Sequence, residues 1–225
     1  REALASPQDG KVEIVTENNE KYGKVLNVTD TSSTKIIRAD GTFDTGGCKN
    51  VRVELDVLPE PFSIIQFTDD STGVYSKDSN SYFMYICFNS GGRIQYRDQG
   101  APIDLTEPNL YNEGQWNKVI VELDTQNAKY NVYINGRNII SRSTLKWGAG
   151  RVPNTITVGS TFSQTRQCGI KVDNIKVYDA SVTITMESAA IYSKGVSVEV
   201  PEAGSAVKGV VSIKNSLGRP APVMV

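Results

Sequence analysis

The sequence of 225 residues contains no histidine, three cysteines and no long apolar run. Because histidine is the commonest general base and the usual zinc or copper ligand, its absence removes the most frequent side chain of catalytic and metal sites. Cys48, Cys87 and Cys168 form no Cys-x-x-Cys pair, so zinc-site spacing is missing as well. Either three free thiols or one disulfide with a spare thiol fits this count, and the strand-like surroundings favour free, buried thiols.

A surplus of charge of either sign is also missing. The chain has 24 Lys and Arg against 25 Asp and Glu, and its formal net charge is −1. Without a basic cluster, we expect neither a nucleic-acid partner nor attraction to an anionic membrane. The apolar runs are far shorter than the roughly 18 residues of a membrane span, so we expect no membrane insertion.

Short alternating segments separated by Gly, Asn, Asp, Ser and Pro clusters dominate the chain, a pattern typical of sandwiches and barrels. Since no segment keeps a sustained 3.6-residue apolar period, the pattern excludes βαβ folds and predicts an all-β protein. The predicted strands are Val12–Thr16, Lys24–Val28, Lys35–Arg38, Asn50–Val57, Phe62–Thr68, Tyr82–Phe88, Arg93–Tyr96, Trp116–Leu123, Lys129–Ile134, Arg137–Arg142, Thr155–Gly159 and Ile170–Tyr178.

The clearest local signal is the dipeptide Asn135-Gly136 between two β-rich runs. It predicts a two-residue type I′ hairpin, because both turn positions need a positive φ. The polar break 124–127 joins the strand Trp116–Leu123 to this hairpin. The three strands are therefore predicted to form a meander.

Near residue 181 the composition changes, and the rest of the chain contains one aromatic residue, Tyr192. We predict a lead at 1–9, a large β-domain at 10–180, and the first strands of an immunoglobulin-like or fibronectin-like module at 181–225. A complete module of that kind needs about 100 residues. Its strands are predicted at Val182–Met186, Val196–Val200 and Val207–Lys214.

Both ends of the sequence look like cuts in a longer polypeptide, because the first residues lack an apolar signal-peptide core and the last ones lie inside an apolar run. We expect neighbouring domains in the parent chain. We also expect the tail to pack on the large domain or to pair with another chain, so that a dimer through the tail is possible.

Three stretches, 50–57, 114–137 and 172–178, together resemble the concanavalin A-like lectin/glucanase superfamily. The similarity is to the laminin G-like form that is common in bacterial polysaccharide-active proteins, and it covers about residues 10–180. It implies a jelly-roll sandwich of two antiparallel sheets, one of them curved, with a concave face that often carries sugar. It also implies that the first and last strands lie side by side, with Val12–Thr16 pairing near Ile170–Tyr178.

A sugar-binding face is predicted from strand alternation. If Ile94 points into the core, Gln95 and Arg97 face the groove, where an arginine would favour an acidic sugar through bidentate carboxylate contacts. The same alternation directs Gln66 and Tyr85 outward from two other strands. The loop aromatics Tyr75 and Trp147 could form the rims of the groove. The candidate binding residues are Gln66, Tyr75, Tyr85, Gln95, Arg97 and Trp147.

Other interpretations of these residues remain open. The polar side chains could belong to a solvated sheet face, and Tyr85 could lie in the core because its strand is apolar on both faces. Trp147, beside Gly148, could cap one end of the sandwich. Trp116 is expected in the core.

The resemblance also implies that a structural calcium ion is possible near the junction of the first and last strands. Asp173, with Glu13 or Glu17, could supply hard oxygen ligands there. The alternative is that Asp173 caps a backbone turn.

An enzyme on this fold, similar to the laminarinase-type hydrolases, would need two close carboxylates on one strand. Glu54 and Glu60 are six residues apart, which is roughly 20 Å along a strand. Retaining chemistry needs about 5–5.5 Å. An amphipathic strand with its apolar side chains inward explains the same residues better; these are Val51, Val53, Leu55 and Val57. A lyase on this fold would need a Tyr or His proton shuttle near an Arg or Gln, and the chain has tyrosines and arginines but no histidine.

The sequence therefore predicts a non-catalytic, extracellular or cell-surface module that binds a polysaccharide as part of a larger secreted bacterial protein. If Arg97 lines the groove, an acidic polysaccharide is favoured. The first alternative is a structural or adhesion spacer with a protein partner or no ligand. A polysaccharide lyase or glycoside hydrolase is the second alternative.

Overall fold

The computed structural model describes residues 9–17, 21–45, 47–68, 82–146, 148–161 and 167–180, together with four short strands after residue 190. The chain divides into two compact units, Arg1–Ser181 and Val182–Val225. No helix occurs among the described residues, and so none there could cross a membrane.

The described residues of the first unit form thirteen strands in two antiparallel sheets, which confirms the predicted jelly-roll sandwich. One sheet has seven strands in the order β1-β2-β13-β4-β9-β10-β11, and the other has six in the order β3-β12-β5-β6-β7-β8. The strands are β1 Gly10–Thr16, β2 Lys24–Asp30, β3 Arg38–Thr42, β4 Asn50–Pro59, β5 Ser63–Thr68, β6 Tyr82–Asn89, β7 Arg93–Asp98, β8 Ala101–Leu105, β9 Asn117–Asp124, β10 Lys129–Ile134, β11 Arg137–Thr144, β12 Thr155–Ser160 and β13 Cys168–Asp179.

The main core lies between the two sheets and follows the alternation of the strands. On β4, the odd-numbered apolar side chains from Val51 to Val57 are all buried, as predicted. They meet Ile65 and Phe67 of β5 and the side chain of Ile86 on β6. Burying each such side chain stabilises the fold by about 1.5–3 kcal/mol, so this alternation fixes which face of each sheet points inward.

The hairpin at Asn135-Gly136 is confirmed. The two residues have φ angles of 51° and 81°, as a type I′ turn requires. Ile134 pairs with Arg137 across the turn, and β9, β10 and β11 are consecutive neighbours in the seven-stranded sheet. The predicted meander is therefore present.

On the six-stranded sheet, one strand prediction was wrong and one strand was not predicted. The strand was predicted at Lys35–Arg38, but the observed strand is β3, Arg38–Thr42. The residue before it, Ile37, donates its backbone N–H to the Ser160 side chain (2.9 Å), so this bond is not part of the backbone ladder between strands. The Ile37 side chain lies in the core. The sequence also gave no sign of β8, Ala101–Leu105, which contains Pro102. A proline is tolerated there because β8 is an edge strand.

The expected pairing of the first and last strands was also wrong, because β2 lies between β1 and β13. Val28 of β2 pairs with Ile170 of β13, and β1 pairs only with β2. Burial explains the order: Val28 is 1% exposed, whereas Val12 and Ile14 of β1 are 50% and 65% exposed. Each strand has three apolar side chains, and those of the inner strand β2 are the better buried.

Trp116 does not join the core clusters, contrary to expectation. It is half-buried and stacks on Tyr22, with the ring centroids 4.0 Å apart. Val119 and Val121 of β9 point into the core. Trp116 precedes that strand at a position of opposite parity, which directs its side chain to the other face of the seven-stranded sheet.

The second unit contains two short antiparallel pairs. Their strands are β14 Tyr192–Ser193, β15 Val196–Ser197, β16 Ser212–Lys214 and β17 Pro220–Pro222. The predicted strand Val182–Met186 lies outside the described residues. The immunoglobulin-like assignment of 181–225 and the dimer through it stay predictions.

All three cysteines are free, as favoured by the sequence, but Cys48 is only half-buried. Burial raises the pKa of the Cys168 thiol to about 12 and, more weakly, that of Cys48. Because the thiolate is the reacting form, we expect native protein at pH 8 to react slowly and at Cys48 first. Ellman's reagent should count three thiols after unfolding in urea. Rapid native labelling of the Cys48→Ser variant would contradict this.

Candidate functional site

The candidate site is the outer face of the six-stranded sheet, which we define as the face directed away from the core. Thr157 of β12 pairs with Gln66 of β5, and Gln66 pairs with Tyr85 of β6. The Arg97 guanidinium of β7 then lies over the Tyr85 ring, 5.6 Å from its centroid. The cross-strand pairing therefore lines up these four side chains across the sheet.

A second row runs beside the first on the same face. Ile64 pairs with Cys87, Cys87 pairs with Gln95, and Gln95 pairs with Asp104 of β8. The Gln95 side-chain amide donates to the Asp104 carboxylate at 2.8 Å. The structure thus brings Gln66, Tyr85, Gln95 and Arg97 to one face, and the predicted direction of these side chains is confirmed.

Their burial differs from the open groove expected from the sequence. Tyr85 is 1% exposed and Gln66 is 3% exposed. Tyr85 packs with Ile64 and Cys87 in a small apolar cluster on the outer face, and its hydroxyl lies 2.9 Å from the Thr161 hydroxyl. Burial also raises the pKa of Tyr85. The Tyr85 ring is therefore not an open stacking surface.

The same face holds buried polar atoms that make no hydrogen bond within the described residues. They are the side-chain oxygens of Gln66 and Thr68 and the Nε of Arg97. A buried polar group without a partner costs about 1–3 kcal/mol. Gln66 and Thr68 lie on β5 and Arg97 lies on β7, so these atoms mark places on the outer face where a polar partner, either water or a ligand hydroxyl, would be stabilised.

Lys146 adds a second cation beside Arg97. The Thr144 backbone N–H donates to Asp98 at 2.7 Å and the Gln99 N–H donates to the Thr144 carbonyl at 3.0 Å, so the end of β11 is held against the β7–β8 turn. The Lys146 side chain then lies over Gly100, within 3.3–3.4 Å of where a Cβ would be. Burial, and then the charge of Arg97, lowers the pKa of Lys146.

The sequence did not reveal Lys146 as a site residue. It follows β11 in the chain, whereas Arg97 is on β7 of the other sheet. Only the contact between the two sheets brings them together. The predicted rim residues Tyr75 and Trp147 lie outside the described residues, so their placement is not tested.

The proposed calcium ligands are not brought together. The Asp173 carboxylate accepts from the Asn174 backbone N–H at 2.7 Å, which is the turn-capping alternative. Glu17 pairs with Lys171 at 2.5 Å, and the Glu13 carboxylate accepts from Asn27 at 3.4 Å. Within the described ranges, no group of three acidic or cysteine side chains is arranged to hold a metal ion. Calcium binding stays a prediction.

Glu54, the candidate acid of the discounted hydrolase motif, belongs to a network of ion pairs on the seven-stranded sheet. Its carboxylate lies 2.9 Å from Arg52 and 3.0 Å from Lys118, and Arg52 also reaches Glu122 at 2.9 Å. Burial alone would raise the pKa of Glu54, but the two cations together hold it below its usual value. Glu54 is therefore a stable carboxylate at neutral pH.

Residues 60–185 match the family described as the concanavalin A-like lectin/glucanase superfamily, in a laminin G-like form. The chain belongs to this superfamily. The match covers β5 to β13 of the first unit and therefore includes the whole outer-face row from β12 to β7. No curated protein sequence is a significant match.

Solved structures of similar fold include a sialidase, with a TM-score of 0.55 and 12% identity over 75% of this chain and 16% of that chain. The cellulose-induced protein Cip1 has a TM-score of 0.54 and 14% identity, over 77% of this chain and 87% of its own. A carbohydrate esterase of the Shiga toxin-encoding bacteriophage phi24B has a TM-score of 0.51 and 12% identity, over 75% and 86%. At these low identities, the structural similarity shows a shared fold alone.

Proposed function

We propose that the first unit, Arg1–Ser181, binds carbohydrate on the outer face of its six-stranded sheet. The observation that carries this proposal is the set of buried, unpartnered polar atoms of Gln66, Thr68 and Arg97. The names of two similar structures, the sialidase and the carbohydrate esterase, refer to carbohydrate chemistry, which supports the same ligand class.

A sugar fits these groups chemically. A hydroxyl group can donate to the Gln66 oxygen and also accept from the Arg97 Nε–H, so one ligand type satisfies both donors and acceptors. Because these protein atoms are buried, a hydroxyl reaches them only when the atoms that cover them move aside, and it then gains more than it would at a solvated surface. A site built in this way also rejects analogues that lack the hydroxyl.

We further propose that the unit acts by binding and not by catalysis, as a module of a larger secreted or cell-surface protein. The supporting observations are the absence of histidine from the chain and the ion pairs that keep Glu54 charged. Incubation with candidate polysaccharides should release no reducing ends and no unsaturated products. Release of either would favour an enzyme.

A structural or adhesion spacer is the second candidate. It is favoured by the edge strand β1, on which the apolar side chains of Val12 and Ile14 are 50% and 65% exposed. A spacer would give no specific signal across plant, algal and bacterial glycans, with or without calcium. A binding module would give a discrete set of glycan signals.

The decisive variant is Gln66→Met, which keeps the size of the side chain but removes its amide. Since the Gln66 oxygen has no partner to lose in the free protein, we expect the thermal midpoint to stay the same or rise. Affinity for a glycan identified on an array should fall by about tenfold, because one buried hydrogen bond to the ligand is lost.

The matched control is Gln115→Met, which makes the same change at an exposed loop position. It should alter neither affinity nor stability. The proposal is overturned if Gln66→Met lowers the thermal midpoint and leaves affinity unchanged, because Gln66 would then have only a structural role.

A further inference from the structure

We propose that Arg97 and Lys146 form an anion subsite on the outer face, which receives the carboxylate or sulfate group of an acidic polysaccharide. This inference rests on the proposed carbohydrate-binding function and adds to it the class of sugar. It assigns a role to Lys146, which no sequence pattern marks as a site residue.

The first argument is the surroundings of the Arg97 guanidinium. It makes no ion pair or hydrogen bond in the part of the chain that the structure describes, and its Nε is buried. Its described neighbours are an aromatic ring, that of Tyr85, and another cation, Lys146. A partly buried arginine is normally paired with a carboxylate, so these surroundings lack the partner that its charge requires.

The second argument is that the nearby carboxylates are engaged elsewhere. Asp98 accepts from the Ser143 hydroxyl and the Thr144 N–H, and these bonds hold its pKa below the usual value. Asp104 accepts from the Gln95 amide. Neither acid is paired with the Arg97 guanidinium, and an anion must come from outside the described residues to neutralise it.

The third argument is the effect of Arg97 on Lys146. The Lys146 side chain lies over Gly100, in the turn that follows Arg97, and burial together with the charge of Arg97 lowers its pKa. An anion between them removes the repulsion and gains two charge-assisted contacts. The fork of the arginine suits a planar carboxylate or a sulfate, whereas the lysine acts as a point charge.

The backbone holds the pair in place before any ligand arrives. The Tyr130 hydroxyl donates to the Arg97 carbonyl, and Leu145 donates its backbone N–H to the Ala128 carbonyl at 2.8 Å. Both bonds use the main chain of the subsite strands. Replacing the Arg97 or Lys146 side chain therefore leaves them intact, and the variants below should fold.

The experiment compares two pairs of polymers that differ only in charge. Polygalacturonate is compared with its methyl-esterified form, and dextran sulfate is compared with dextran. We expect the native chain to bind at least one anionic polymer about tenfold or more tightly than its neutral partner. The preference should shrink as salt is added. The two pairs distinguish a carboxylate from a sulfate as the source of the anion.

Arg97→Gln and Lys146→Gln should each lose the preference for the anionic polymer. The matched control is Arg93→Gln, which removes the same charge from an exposed position on the same strand. It should keep the preference. Thermal midpoints of all three variants, compared with that of the native chain, check that they are folded.

A direct readout is the NMR signal of the Arg97 Nε–H, assigned by its loss in Arg97→Gln. Glucuronate should shift it, and glucose should not. Equal binding of charged and neutral polymers, or a charge preference that survives in both variants, overturns the anion subsite and leaves the proposed sugar binding intact. Absence of binding to every polymer together with an unmoved Nε–H signal overturns both.

Discussion

Replacing Asn117 by leucine is expected to lower the free energy of unfolding of the first unit by about 4 kcal/mol, because four hydrogen bonds worth about 1 kcal/mol each are lost. Asn117 is fully buried at the start of β9. Its side-chain oxygen accepts from the Asn112 N–H (2.8 Å) and the Asn135 amide (2.9 Å). Its amide donates to the carbonyls of Asn112 (2.9 Å) and Gln115 (2.7 Å).

This one side chain therefore ties the loop before β9 to the turn of the β10–β11 hairpin. Leucine has the same branching and the same number of side-chain heavy atoms but forms no hydrogen bond, so all four of these bonds are lost and the loop is no longer tied to the hairpin. Urea unfolding should show the loss of stability. The thermal midpoint should fall by about 10 °C, given the 2–4 °C per kcal/mol typical of this size.

The control for this prediction is Asn112→Ala. Asn112 is exposed and takes part through its backbone, so its side chain can be removed with an effect within about 0.5 kcal/mol. If Asn117→Leu costs no more than the control, water or a local shift must satisfy the loop carbonyls, and the side chain is not the link between loop and hairpin.

Replacing Gly159 by alanine is the second large expected effect. Gly159 lies on β12 with a φ of 146°, and a Cβ there would stand 2.3 Å from the Ile37 carbonyl oxygen and 2.8 Å from the Arg38 Cα. Both atoms are backbone, so β3 must move away from β12 to make room. Because the φ angle is also unfavourable for alanine, we expect the free energy of unfolding to fall by about 3–5 kcal/mol.

Gly41→Ala is the matched control, because Gly41 lies on β3 beside the same strand. A Cβ at Gly41 would meet Ile156 at 3.5 Å, which is an ordinary contact. Its stability should change by less than about 1 kcal/mol. Calorimetry of both variants tests this prediction. Equal thermal midpoints would show that β3 and β12 can move apart with little loss of stability.

Binding and stability respond to different residues in this domain. Asn117 and Gly159 hold the strands in place, and their substitution acts on the whole sandwich. Gln66 and Arg97 contain buried polar atoms without partners, so removing them is expected to reduce binding more than stability. Measuring both quantities for every variant therefore separates a binding role from a structural one.

The sequence by itself determined the class of fold and the direction of most side chains. Alternation with a period of two residues depends only on neighbours along the chain, so it placed Val53 and Phe67 inward and Gln66 and Arg97 outward. The Asn135-Gly136 turn could also be predicted from local sequence, because its conformation follows from the two residues that form it.

The tertiary structure alone decided the order of the strands and the composition of the site. Whether β1 or β2 pairs with β13 depends on which strand buries more apolar surface, a comparison that involves the whole sandwich. The burial of Tyr85 and the placement of Lys146 beside Arg97 likewise arise from contacts between segments far apart in the chain. Local patterns determine on which side of a sheet each side chain lies. Which strands become neighbours is determined by the competition of all strands for burial.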